Sequence, residues 1–431
     1  MKKSLFLWAV FAVMMAFTAC TKEKVVYVEK ENVTELKPGE GVIKISLSNN
    51  ISRSPRPITS NEATNNVNRI AFVFVKSNNN QYTPVIADGE DYTHQGNVLA
   101  ISDNTIAANE EIEVHFENMT EGSYKIIAYG YHCASDGNYD FPYEIEEANG
   151  YDGYIKMRPE SGSSITPVEE IFAGIEPAST STYLKVNSYG NFVDSNIKIT
   201  LERQVAGLLA YLSNIPEKVL SGGVDNIVEK ITISTPFEAT GLYIPGNTGN
   251  GKSDYNGVGT WKTNEYIDLL TFDLSQATVS DGYYTFTGGT GKKFLLAEEN
   301  ESQTFTDLKC QDNTLFGSCF VIPFVQHYAN YDGFGKGTLH INYYDNSGSL
   351  IVSKPLRIKS ESVATDADYE FDIKRNHFYS IGTKDADYDG SGNPDEDTED
   401  DPLPVDLESG SDNLKVTISE KWFDTHNLTN K

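Results

Sequence analysis

Apolar and polar residues alternate with period two along most of this chain. In Glu111-Ile112-Glu113-Val114-His115-Phe116-Glu117 the three apolar side chains fall on one side and mostly charged ones on the other, the pattern of a half-buried antiparallel strand. The next strand, Tyr124 to Tyr129, follows after Thr120-Glu121-Gly122, and that spacing predicts a hairpin. Ile70 to Val75 is apolar on both faces and belongs at the centre of a sheet, while Ile197 to Leu201 alternates again. Further strands are predicted at 230–234, 240–244, 283–287, 293–297, 319–325, 338–344, 349–353 and 369–373, separated by loops rich in Gly, Asn, Asp and Ser. Many short strands with turn signals between them, and almost no helical periodicity, predict an all-β chain of β-sandwich domains.

The two ends depart from this pattern. Lys2 and Lys3 precede an apolar run from Leu5 to Phe17, too short to span a bilayer but right for the hydrophobic region of a signal peptide. Phe17-Thr18-Ala19-Cys20 then resembles the bacterial lipobox, in which the cysteine, here Cys20, is acylated and becomes the new N-terminus. Residues 1–20 are therefore expected to be a lipoprotein signal, and 21–53 a polar tether followed by a short first strand around Gly41 to Leu47. Toward the other end, residues 385–412 hold twelve Asp or Glu and no Lys or Arg, with three prolines among them, and are expected to form a solvated linker. In the closing segment, 413–431, Leu414, Val416 and Ile418 alternate with Lys415, Thr417 and Ser419, and Trp422 falls on the apolar side. A strand thus stands at the end of a long leash.

Charge and cysteine content narrow the partners. With 62 acidic against 34 basic residues the formal charge is −28, and such a field repels nucleic acid. Partners are expected to be neutral, cationic or further copies of the same chain. Beyond Cys20 only Cys133, Cys310 and Cys319 remain, too few for a disulfide scaffold or a zinc framework, although Cys310 and Cys319 are close enough in sequence to pair across a hairpin.

Two motifs imitate ligand sites. Gly246-Asn247-Thr248-Gly249-Asn250-Gly251-Lys252-Ser253 fits the P-loop pattern, but Pro245 precedes it and the Gly- and Asn-containing sequence after it does not propagate the helix that phosphate binding requires. It is read as a glycine-rich loop. Asp385-Ala386-Asp387-Tyr388-Asp389-Gly390 with Glu396 matches the spacing of a calcium loop, yet no amphipathic helix flanks it and Gly392 stands where an apolar residue normally pins the loop; solvated linker is the reading, calcium the alternative. The seven histidines are scattered, no Gly-x-Ser-x-Gly elbow occurs, and no pair among the many carboxylates is singled out. No catalytic site, metal or cofactor is expected.

Three segments together resemble the fimbrillins of the type V pili of Bacteroidales: the lipobox followed by Gly41 to Asn50 and then Arg53; the mid-chain run Ile199-Thr200-Leu201-Glu202-Arg203-Gln204-Val205-Ala206-Gly207-Leu208-Leu209; and Ile373-Lys374-Arg375-Asn376-His377-Phe378-Tyr379-Ser380-Ile381 followed, after a spacer, by Asn413 to Ile418 and Trp422. The resemblance implies two transthyretin-like β-sandwich domains with exchangeable terminal strands, placed at 54–200 and 201–384. It also implies export as an outer-membrane lipoprotein, surface display in a fimbrium, removal of the first strand by an arginine-specific protease, and filling of the vacated groove by a neighbouring subunit's strand. Cleavage is expected between Arg53 and Ser54, because Arg56 is followed by Pro57. Leu414, Val416, Ile418 and Trp422 are the expected donor residues. The spacer at 385–412 is longer and more acidic than the family pattern. An anchor or tip component of the same pilus, and a tethered glycan-binding lipoprotein, remain as alternatives.

Overall fold

The apolar run at Ile70 to Val75 becomes Arg69–Lys76, a strand buried on both faces that pairs antiparallel with Gly122–Tyr131 along its whole length. The computed structural model describes residues 37–46, 67, 69–77, 111–117, 119–131, 171–177, 182–194, 196–243, 255–262, 265–287, 293–301, 310–325, 339–356, 372–382 and 407; for 47, 81–82, 86–87, 92–95, 98–101, 143–146, 154–157, 405–406 and 417–419 it describes the backbone alone. Almost every described element is a strand, so the chain is all-β. Everything below belongs to the unit Gly39–Lys431.

The N-terminal sheet runs, in spatial order, through the strands at 86–87, 111–117, 41–47, 198–203, 172–176, 122–131, 69–76, 98–101 and 92–95. It curls on itself. Ile43, Ile45, Val114 and Phe116 from one end pack against Phe72, Phe74, Ile126 and Ala128 from the other, all with 5% exposure or less. Phe116 meets Phe72 and Phe74 edge-on, with ring centroids 5.1 Å apart in both pairs. Period-two alternation in Glu111–Glu117 thus serves a core on one side only, as the pattern predicts.

The predicted hairpin does not form. Glu111–Glu117 pairs with Gly41–Leu47, while Gly122–Tyr131 pairs with Arg69–Lys76, Phe172–Glu176 and Leu184–Val186. The connection at Met119 and Thr120 carries the chain from one layer to the other: Met119 is buried, and the Tyr124 hydroxyl donates to the carbonyl of Thr120. A short connection fits this crossing between layers as well as it fits a hairpin.

Alternate residues of the same strands face a second apolar cluster. Ala71, Val73, Val75, Ile127, Tyr129 and Tyr131 lie there against Leu209, Tyr211, Phe316, Phe320 and Phe378. That explains why 69–76 is apolar on both faces. The third cluster belongs to the C-terminal half, where a sheet ordered 295–296, 315–321, 206–213, 378–381, 417–419 faces one ordered 267–273, 230–235, 340–344, 350–355. Leu208, Ala210 and Leu212 point into it, with Ile231, Ile233, Leu270 and Ile341 opposite. Strand Lys198–Arg203 runs unbroken through position 200, and core membership changes between Leu201 and Ala206.

Three details refine the expectations. No disulfide joins Cys310 and Cys319, because Cys319 points into the C-terminal core while Cys310 packs against the second cluster. Within the acidic linker, Val405–Asp406 pairs parallel with Leu212 and Ser213, and Leu407 is 7% exposed in the C-terminal core, so this part is docked rather than solvated. The apolar residues Val405 and Leu407 flank Asp406, a miniature of the strand alternation around it. Of the strand predicted at 369–373, the described part contributes one bridge, between Ile373 and Phe324.

Close approach of strands fixes Gly174. A Cβ there would stand 2.3 Å from the carbonyl oxygen of Thr200 on the neighbouring strand. Gly174→Ala is therefore expected to cost about 2 kcal/mol and to lower the melting temperature by a few degrees. An unchanged melting temperature would show that the two strands part without cost.

Candidate functional site

The first strand, Gly41–Leu47, is an inner strand held on both sides. It pairs antiparallel with 111–117 over six positions, from Gly41 with Phe116 to Ser46 with Glu111, and parallel with 198–203 over four, from Lys44 with Lys198 to Leu47 with Leu201. Ile43 and Ile45 are 0% exposed, and Val42 and Lys44 on the other face are half-buried. Taking this strand away would leave 111–117 and 198–203 each with a bare edge, with Val114, Phe116, Ile199 and Leu201 as the apolar walls of a groove over Phe72, Phe74, Ile126 and Ala128.

Charges line the outward face. The Lys44 Nζ lies 3.5 Å from Glu111 and 3.4 Å from Glu113, and the Lys198 Nζ lies 2.6 Å from Glu111. The hydrogen bond with Glu113 holds the Lys44 ammonium above its ordinary pKa, and the hydrogen bond from Lys198 holds Glu111 below the usual carboxylate value. These groups are exposed and screened, so they add little stability. What they distinguish is which residue of an occupying strand sits between Glu111 and Glu113.

A turn latches the start of the strand. The Asn187 side-chain oxygen accepts from the amides of Tyr189 and Asn191, a local bond that closes the turn, and Gly190 completes it at φ +80°. From this turn the Asn191 amide side chain donates to the carbonyl of Glu40 at 2.8 Å, and the Tyr189 carbonyl accepts from the Gly39 amide at 2.6 Å. Asn187→Ala is expected to lower the stability of the uncleaved chain by about 1 kcal/mol, measured as a lower urea midpoint. An unchanged midpoint would mean that the turn keeps its shape without the side chain.

The described parts of the three segments singled out in the sequence contact one another in turn. The first strand pairs with Lys198–Arg203; Arg203 then donates to Asn376 Oδ1 at 3.0 Å, Arg375 pairs with Glu202 at 3.0 Å, and the amides of Asn376 and Gly207 bond to the carbonyls of Val205 and His377. Gln204, fully buried at this crossing, donates to the carbonyl of Glu202 and accepts from Asn256. At the far side of Phe378–Ile381 lies Thr417–Ser419, paired antiparallel with Ile418 opposite Tyr379, the last strand of this sheet among the described residues.

Of the residues singled out by sequence, Ile418 lies in this edge strand, while Cys20, Arg53, Ser54, Leu414, Val416 and Trp422 lie outside the described residues, as do the P-loop-like run 246–253 and the calcium-like run 385–396. Among the described residues no three His, Cys, Asp or Glu side chains gather as metal ligands, and no helix is long and apolar enough to cross a membrane. The latch at Asn187 and Asn191 and the charges at Glu111, Glu113 and Lys198 were not singled out by sequence reasoning. The run Asn187-Ser188-Tyr189-Gly190-Asn191 does carry a turn signal, but nothing in it names Glu40 as the partner.

No protein-family model and no curated protein matches the sequence. Among solved structures the chain is similar to the fimbrial anchor protein Mfa2 from Porphyromonas gingivalis, at 11% identity over 73% of this chain and 81% of that one, with a TM-score of 0.33. It is also similar to an adhesin candidate from Bacteroides ovatus (10% identity, 74% and 78% covered, TM-score 0.35) and to a candidate polysaccharide-binding protein from Bacteroides thetaiotaomicron (9% identity, 81% and 93% covered, TM-score 0.33).

Proposed function

We propose that this chain is a structural subunit of a surface fimbria. It is exported as a lipoprotein, held at the outer membrane through acylated Cys20, cut between Arg53 and Ser54 by an arginine-specific protease, and polymerised by exchange of terminal strands with further copies and other pilus subunits. Its role is mechanical, without catalysis or cofactor.

The observation that supports this reading is the seat of the first strand. Cleavage after Arg53 would detach from the mature chain a strand that is paired on both sides and carries two wholly buried isoleucines. Each buried side chain of this size is worth about 1.5–3 kcal/mol, so losing two removes about 3–6 kcal/mol. A typical domain has only about 5–15 kcal/mol in total. An emptied groove of this kind is too costly to leave open, and a strand from another copy closes it. With Leu407 docked in the C-terminal core, only the residues that follow it give that strand its reach, and the alternation of Leu414, Val416 and Ile418 gives it a matching apolar face.

Assembled surface material run without boiling tests the reading. SDS-resistant ladders whose monomer begins at Ser54 are expected. Ladders whose monomer begins at Cys20 would instead fit an anchor that keeps its lipid and its first strand, and a lone monomer with no ladder would fit a glycan-binding lipoprotein.

A further inference from the structure

The C-terminal segment repeats the first strand position by position. Ile43-Lys44-Ile45-Ser46-Leu47-Ser48 has its counterpart in Leu414-Lys415-Val416-Thr417-Ile418-Ser419, and eight residues beyond each start stands another apolar residue, Ile51 or Trp422. Apolar, lysine, apolar, hydroxyl, apolar and serine follow in the same order. Simple alternation would have matched only every second position.

Alternation alone lets an incoming strand slip by two residues or enter reversed, since the apolar side chains still reach the floor. The lysine does not tolerate this. In the direction and register of the first strand, Lys415 takes the place of Lys44, within reach of Glu111 and Glu113. A slip of two residues forward puts Lys415 at the place of Ser46, which is 8% exposed and faces Glu111, the carboxylate that Lys198 already holds, and leaves Glu113 without its lysine. A slip of two backward puts Leu414 at the place of Gly41, where even a Cβ would stand 2.7 Å from the Phe192 ring. A reversed strand reaches the glutamates with Lys415 only by seating Ile418 at that same place, where the Phe192 ring would have to move. When the first strand leaves, Lys198 still pairs with Glu111, and Glu113 is the carboxylate whose lysine is gone.

We infer that the donor strand enters in the direction and register of the strand it replaces, parallel to 198–203 and antiparallel to 111–117, and that the Lys415 contact with Glu113 and Glu111 of the receiving copy selects this arrangement. The inference rests on the strand-exchange reading above. It also explains how the tail leaves its own chain: among the described residues Thr417–Ser419 is paired on one side over three residues, whereas the groove offers ladders on both sides.

Charge reversal in cleaved, full-length mature chains tests it. Lys415→Glu copies alone, and Glu111→Lys/Glu113→Lys copies alone, are each expected to form ladders roughly tenfold more slowly than the parent, because like charges then meet in the groove. Mixing the two is expected to restore the rate and to give ladders containing both, since each donor then finds the opposite charge. The mixture also controls for folding, because a misfolded chain is not rescued by a partner. Single variants that polymerise at the parental rate, or slowed variants that the mixture does not rescue, would overturn the inference while leaving strand exchange in place. A parental chain that forms no ladders would overturn strand exchange itself.

Discussion

Ile418→Asp is expected to give chains that fold, are cleaved after Arg53, and then remain monomeric. Among the described residues Thr417–Ser419 is paired on one side only, over three positions with Phe378–Ile381, so the uncleaved fold is expected to depend on it less than on its doubly paired inner strands. Carried into the groove of another copy in the register of the first strand, the same aspartate would take the place of Leu47, opposite the fully buried Leu201. Burying a carboxylate without a partner there costs on the order of 4 kcal/mol or more, roughly a thousandfold in the equilibrium. The measurement is the ladder on an unboiled gel, with circular dichroism of the monomer as the control. Unimpaired fibres would defeat the role given to the C-terminal segment, and loss of the folded monomer would mean that the segment belongs to its own core.

Ile45→Asp is expected to act earlier and more severely. Ile45 is 0% exposed between Ile112 and Ile199 on the flanking strands, so the charge has no route to solvent while the first strand is seated. The expected cost is again several kcal/mol, most of what holds a typical domain together. The precursor should therefore be degraded and the surface protein lost, although position 45 would be absent from the mature chain. Wild-type surface levels from this variant would show that the strand is dispensable for folding.

The strands were readable from the sequence because period-two alternation specifies a face; their partners were not, because alternation says nothing about who sits alongside. The alternation of Glu111–Glu117 marks a strand but not its partner: its neighbour in space is Gly41–Leu47, some seventy residues back, and not the strand that follows it. Burial of Ile70 to Val75 on both faces was legible, whereas the source of the second face, Leu209, Tyr211, Phe316 and Phe378, is a matter of tertiary packing. In the acidic linker the density of carboxylates concealed the short alternation at Val405 and Leu407 that docks it. The candidate site shows the same division. The apolar face of the occupying strand could be anticipated from Ile43, Ile45 and Leu47, but the latch from Asn191 to Glu40 joins residues 151 apart, and nothing in the local sequence names the partner.

Cross-linking in a mixture of isotopically light and heavy copies tests the central claim most directly. With the first strand gone and a donor strand in its place, an amine-reactive linker on assembled fibres is expected to join Lys415 or Lys421 of one copy to Lys198 of another, giving peptides of mixed isotope composition. Links from 413–422 found only within single copies, toward Lys374 beside the Phe378–Ile381 strand, would show that the segment never leaves its own chain and would contradict strand exchange.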